Sequence, residues 1–231
     1  MIIRFYFSFR SPFAGVAFHR MSLLPEPVRS IVQTMPLWPD VIFGGHMDNP
    51  SDNLFKLRYV FKDAARQAET AGLNRSFLDR LDGQFHLDEA TDYRVRKVGT
   101  MTGIEQWQPV HLAYLSAVDA GLGWQFGNAV FARRFDFDGR GRLDVMQKDV
   151  IEKICQDMAL DIPLSWTETH RKKLDKICVG GIRRSELDGV FGVPFFVLED
   201  DGVEEYFWGN DRIDWLLEAA GITSDPAVKL I

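Results

Sequence analysis

At 231 residues, with 46% hydrophobic and 26% charged side chains, the chain has the make-up of a folded globular protein and is long enough to bury a sizeable core. A net charge of −6 works against binding a polyanion, and the short basic runs Arg94-Val-Arg-Lys97 and Arg171-Lys-Lys173 read as solvated helix faces, so no nucleic-acid partner is expected. The two cysteines, Cys155 and Cys178, lack C-x-x-C spacing, which excludes a disulfide framework or a zinc knuckle and leaves both as small buried hydrophobes.

In chain order, Ile2 to Phe18 reads as a buried strand running straight into a helix, with Ser11-Pro12 at the junction. Serine is a favoured N-cap and proline a favoured first helical residue, so the helix is expected from about Ser11 to Leu23. The same placement sets the Ser11 hydroxyl beside unpaired N–H groups at the positive end of a helix dipole, where an anion can be held. Pro25 and Pro27 then mark a turn, and Val28 to Met35 reads as a second strand ended by Pro36. Leu37 to Asn53, with Pro39, Pro50 and Gly44-Gly45, is a long excursion of the kind that often lines a site.

From Leu54 to Glu186 the apolar spacing is helical, as in Leu54, Leu57, Phe61 and in Val110, Ala113, Tyr114, Ala117. Breaks fall near Gly72, Gly99, Gly121-Leu-Gly123 and Gly139-Arg-Gly141. Phe195 to Leu198 returns to extended structure, Glu199-Asp-Asp-Gly202 reads as a turn with solvated charges, and Glu205 to Trp208 as the hairpin partner. A last amphipathic helix, Arg212 to Ala220, stops at Gly221. The predicted class is α/β: a thioredoxin-like mixed sheet, parallel in its first βαβ unit and antiparallel in its terminal hairpin, with a large all-helical insertion. Residues 1–53 and 187–231 are assigned to the thioredoxin-like domain and 54–186 to the insertion. The strand pattern begins without the charged, apolar and cleavage segments of an export signal, and no apolar run has membrane-spanning length. A cytoplasmic protein with no membrane association is therefore expected.

Gly192-Val193-Pro194 stands directly before the hairpin strand, where proline is tolerated. It is either an ordinary trans proline at a strand start or a cis Val193–Pro194 bond that presents the Val193 backbone to a ligand. His19, His46, His86, His111 and His170 show no metal-ligand spacing, and no metal site is expected.

Phe5-Tyr-Phe-Ser-Phe-Arg-Ser-Pro-Phe13, Leu122-Gly-Trp-Gln-Phe-Gly-Asn-Ala-Val-Phe131, Gly189-Val-Phe-Gly-Val-Pro-Phe-Phe196 and Phe207-Trp-Gly-Asn-Asp-Arg212 together resemble the 2-hydroxychromene-2-carboxylate isomerase family. That family is similar to kappa-class glutathione transferases and, more distantly, to DsbA-type oxidoreductases. The resemblance implies bound glutathione as cofactor, a small-molecule substrate, and a serine, here Ser11, where DsbA has its reactive cysteine. It further implies that Val193–Pro194 is cis and pairs with the cysteinyl moiety, that Asn210 and Asp211 hold the γ-glutamyl end, and that Lys56 and Asn49 contact the tripeptide. A homodimer formed through the helical block is implied as well.

Each of these residues also has a purely structural reading. Asp211 could cap the last helix, Lys56 could be a solvated helical lysine, and Trp208, which could wall the site, could instead be core packing of a hairpin. Phe13 stands where the family commonly has tyrosine, keeping an apolar wall without a phenolic donor, and Arg10 favours an anionic substrate if it faces the pocket. Ser11-Pro-Phe-Ala14 contains no cysteine and cannot cycle a disulfide. The expected chemistry is cis–trans isomerisation by reversible addition of a Ser11-stabilised glutathione thiolate. A transferase that releases the glutathione adduct, or a thioredoxin-fold module that binds without turnover, remains open on the sequence.

Overall fold

The computed structural model describes residues 1–37, 54–83, 107–160, 172 and 180–222. β1 (Ile2–Phe7) leads into α1 (Pro12–Ser22), a short α2 (Glu26–Arg29) and β2 (Val32–Pro36). Helices follow: α3 (Leu54–Thr70), α4 (Ser76–Gly83), α5 (Gln108–Asp119), α6 (Gly123–Phe135) and α7 (Lys148–Asp157). Residues 180–187 are helical and lead to β3 (Phe195–Asp200), β4 (Val203–Trp208), a 3₁₀ turn (Asn210–Arg212) and α8 (Ile213–Ala219). The excursion with Asn49, the Gly99 break, Cys178 and the Arg94–Lys97 run lie outside the described residues.

The sheet runs β2-β1-β3-β4, with β1 parallel to β2 and antiparallel to β3, and β3 antiparallel to β4. β1 is buried on both sides because each of its faces meets a different layer. Ile3, Phe5 and Phe7 join Phe196 and Leu198 in the main core, where Phe5 stacks on its register partner Phe196 at 4.7 Å. Tyr6 points the other way, into a smaller cluster with Leu37, Val190, Phe195 and Val197.

α1 packs on the main-core face together with α6 and α5, through Phe18, Tyr114 and Phe131. Two glycines permit this closeness: a Cβ on Gly127 would lie 2.3 Å from the Phe18 ring, and one on Gly15 would lie 2.9 Å from the Phe131 ring. The main core therefore contains residues of β1, α1 and α8 alongside residues of α3 to α7. Cys155 is buried in it, and burial pushes its thiol up to about 11.

Four boundaries differ from the sequence reading, the simplest being β4, which starts at Val203 rather than Glu205. Val28 lies in α2 and β2 begins only at Val32, because Pro25 and Pro27 sit at the N-cap and first turn of a helical segment, where a missing N–H costs nothing. β3 runs on to Asp200, and the acidic turn is not simply solvated. Buried Arg4 reaches Glu199, Glu204 at 2.5 Å and Asp188 at 2.7 Å, while the Tyr6 hydroxyl donates to Asp188 at 2.6 Å. The last helix starts at Ile213, after the 3₁₀ turn.

Candidate active site

Ser11 follows a tight turn in which its own N–H donates to the Ser8 carbonyl at 3.0 Å and the Arg10 N–H donates to Ser8 Oγ at 3.3 Å. Its backbone is extended (φ −89°, ψ 121°), as an N-cap requires, and Pro12 occupies the first helical position. Ser11 Oγ accepts the Ala14 N–H at 3.1 Å and lies 3.4 Å from the Val193 carbonyl, toward which its hydroxyl can donate. The Val193–Pro194 bond is cis. Ser11 and Val193 are both half-buried, so this junction is reached from outside. Two segments 182 residues apart in sequence are thus joined at one hydroxyl.

The third segment arrives from β4. The Gly209 N–H donates to the Pro194 carbonyl at 3.0 Å, and Asn210 Nδ2 donates to the Phe13 carbonyl at 3.5 Å. Asn210 is 1% exposed and its Oδ1 is buried without a partner among the described residues. Asp211, by contrast, is exposed; it pairs with Arg212 at 2.8 Å and makes no capping bond to α8, which corrects its reading as an N-cap. Trp208 is 55% exposed, against the core-packing expectation, and stands edge-on to Phe191 at 4.9 Å. A Cβ on Gly192 would lie 2.7 Å from the Trp208 ring nitrogen, so the loop before Pro194 fits under that indole.

The structure therefore brings Ser11, Phe13, Val193, Pro194 and Asn210 together. Arg10 is half-buried in the turn before Ser11, and Lys56 is exposed on α3, a helix that packs against α1. Asn49 lies outside the described residues. Among those residues no cluster of His, Cys, Asp or Glu could hold a metal ion, and no helix is long and apolar enough to cross a membrane.

Arg20, on α1, was not singled out by the sequence. It is 2% exposed; its guanidinium donates to the Asn210 carbonyl and to Asp214 Oδ1 at 2.9 Å. Burial pulls its pKa down, with Asp214 and Asp211 acting in the opposite direction. The available signal was an arginine set among Val16, Ala17, Phe18 and Met21, which reads as an ordinary basic residue at a helix end.

The profile of the DSBA-like thioredoxin domain family matches residues 2–221. A 2-hydroxychromene-2-carboxylate isomerase from Pseudomonas sp. (strain C18) is 26% identical over 224 residues, spanning 96% of this chain and 91% of that protein. Among solved structures, a selenomethionine 2-hydroxychromene-2-carboxylate isomerase superposes with a TM-score of 0.61 at 21% identity, covering 96% and 95% of the two chains. The cytosolic disulfide reductase DsbM from Pseudomonas aeruginosa gives 0.56 at 19% identity, over 95% and 98%. A further structure of that reductase, with GSH, gives 0.54 at 17% identity over the same shares.

Proposed function

The chain belongs to the DSBA-like thioredoxin domain family, and from that premise we propose that it is a glutathione-dependent cis–trans isomerase of an aromatic 2-oxo acid or chromene carboxylate. The observation that carries this reading is the Ser11 hydroxyl, held at the N-terminus of α1 and 3.4 Å from the Val193 carbonyl beside the cis proline. Ser11-Pro-Phe-Ala14 has no thiol, so a sulfur nucleophile must come from a bound molecule. The isomerase relative supports this choice of reaction, and the GSH-bound DsbM structure supports this choice of cofactor.

The residues present fit such a thiol tripeptide. A hydroxyl and a helix N-terminus suit a thiolate, the half-buried Val193 backbone suits a peptide, and the unpartnered Asn210 Oδ1 leaves an acceptor beside the turn. When bound, glutathione supplies a thiol that, as thiolate, adds reversibly to an activated carbon–carbon double bond and lets it rotate. Ser11 and the α1 dipole favour loss of the thiol proton, drawing its pKa below the ordinary value of about 8.5.

The Val193 backbone aligns the cysteinyl unit, and the Asn210–Asp211 turn receives the γ-glutamyl end. Lys56 and Asn49 attract the remaining polar groups. Phe13 offers an apolar wall to the substrate ring, and Arg10 its charge to the substrate carboxylate. A reducing cytoplasm and a homodimer formed through the helical insertion complete the reading.

The test titrates the purified protein with glutathione, following melting temperature, and then assays an aromatic 2-oxo acid alkene for isomer ratio with and without the thiol. Glutathione is expected to raise the melting temperature and to be required without being consumed. Ser11→Ala should lower turnover by about 100-fold, as loss of one preorganised donor does elsewhere. An unchanged melting temperature at millimolar glutathione, or turnover independent of it, would overturn the assignment. A released adduct would make the protein a conjugating transferase instead, and binding without turnover a non-catalytic module.

A further inference from the structure

We infer that Arg20 is a positioning residue for glutathione: from inside α1 its guanidinium holds the Asn210 carbonyl and Asp214, fixing the turn that receives the γ-glutamyl end relative to Ser11. This rests on the reading just given. Phe13 and Arg20 are seven residues apart, two turns along one face of α1, and each holds the same turn. At the front the Phe13 carbonyl accepts from Asn210 Nδ2 at 3.5 Å, and behind it Arg20 donates to the Asn210 carbonyl. Ser11 caps the same helix. α1 therefore acts as a ruler with the sulfur anchor at its tip and the γ-glutamyl turn along its side.

A guanidinium at 2% exposure is an unfavourable way to fill space, because taking a charge out of water is costly unless it is paired. An apolar side chain would pack as well. Two of its donors instead hold one backbone carbonyl and one carboxylate of the segment that follows Gly209. Lysine carries the charge but presents a single compact ammonium, so it cannot reproduce both bonds in the fixed fork. Asp214, 27% exposed at its side chain, is the second half of the clamp.

Calorimetric binding of two thiols to the wild type, Arg20→Met, Arg20→Lys and Asp214→Asn tests this. The thiols are glutathione and cysteinylglycine, which lacks the γ-glutamyl unit. Wild type should prefer glutathione; Arg20→Met should weaken glutathione about tenfold and leave cysteinylglycine within about twofold, collapsing the preference. Arg20→Lys should recover part of it. Asp214→Asn, which keeps the volume of the side chain, should show a smaller loss of the same sign and serves if Arg20→Met does not fold. Equal weakening of both thiols, or an unchanged preference in all variants, would overturn the positioning role while leaving glutathione as cofactor. Failure of the wild type to bind either thiol would remove the cofactor reading itself.

Discussion

Ser11 Oγ accepts the Ala14 N–H in the chain on its own, so part of its contribution is to stability alone. Ser11→Ala should lower the unfolding free energy by about 1 kcal/mol, read by urea titration without glutathione, while Ser11→Thr should stay close to wild type. A loss near zero in Ser11→Ala would show that the cap is not stabilising. Gly209 presents a different constraint, because φ of 108° and ψ of 152° fall where side chains other than hydrogen are strained, and a Cβ would sit 2.3 Å from Asp211 Oδ1. Gly209→Ala should cost about 1–3 kcal/mol in thermal or urea unfolding and displace Asp211; retention of full stability would contradict that account. Ser11 as a helix cap and Pro194 as a strand start were legible in the sequence because those preferences are local, whereas the cis bond followed only from the family resemblance. Asn210 was legible as a position but not as a buried side chain, since its partner Phe13 is 197 residues away. Nothing local distinguishes Arg20 from a solvated helix-end arginine, because its partners lie across the fold.

α1 and α6 approach closely because Gly127 faces the Phe18 ring, and that contact decides a prediction. Alanine is a better helix former than glycine by about 1 kcal/mol, yet a Cβ 2.3 Å from a fully buried aromatic ring forces Phe18 or the helix to move. Overpacking of this kind costs about 1–3 kcal/mol, so Gly127→Ala should be net destabilising in urea unfolding, and a more stable variant would show that the two helices can part freely. Among the elements, β1, α1, the breaks at Gly72 and Gly121 and the stop at Gly221 followed from periodicity and punctuation. The β2 start did not, since Pro25 and Pro27 serve a helical turn as readily as a loop. The length of β3 did not either. Glu199 looks like a turn residue until Arg4, 195 positions earlier, supplies its counter-charge.

Among the described residues, the main buried cluster links the thioredoxin-like strands and α1 to α3 through α7, so the two parts share an interior. Near- and far-UV circular dichroism should therefore lose signal in a single coincident transition, and two separated transitions would show that the insertion folds independently. His111 lies within this joint. It is 2% exposed on α5, stands edge-on to Phe9 from the strand end at 5.6 Å, and has Nδ1 2.8 Å from the Trp107 carbonyl. Burial pushes its pKa down to about 4, against the smaller opposing effect of hydrogen bonds with the Trp107 and Leu37 backbone. The folded state thus keeps His111 neutral while the unfolded chain protonates it near pH 6.5, so the unfolded state binds more protons across that interval. Stability should fall as pH drops from about 6.5 to about 4, by at most about 3 kcal/mol from this group, and level off below. His19, also lowered by burial, adds a loss of the same sign. Glu204, held low by the Tyr206 hydroxyl and Arg4, adds its loss at more acidic pH as it protonates. Urea titrations at a series of pH values should show a shallower slope between pH 6.5 and 4 in His111→Leu than in wild type, whatever that variant does to stability at pH 7. An identical slope in the two proteins would mean that the imidazole does not titrate differently in the folded and unfolded chains.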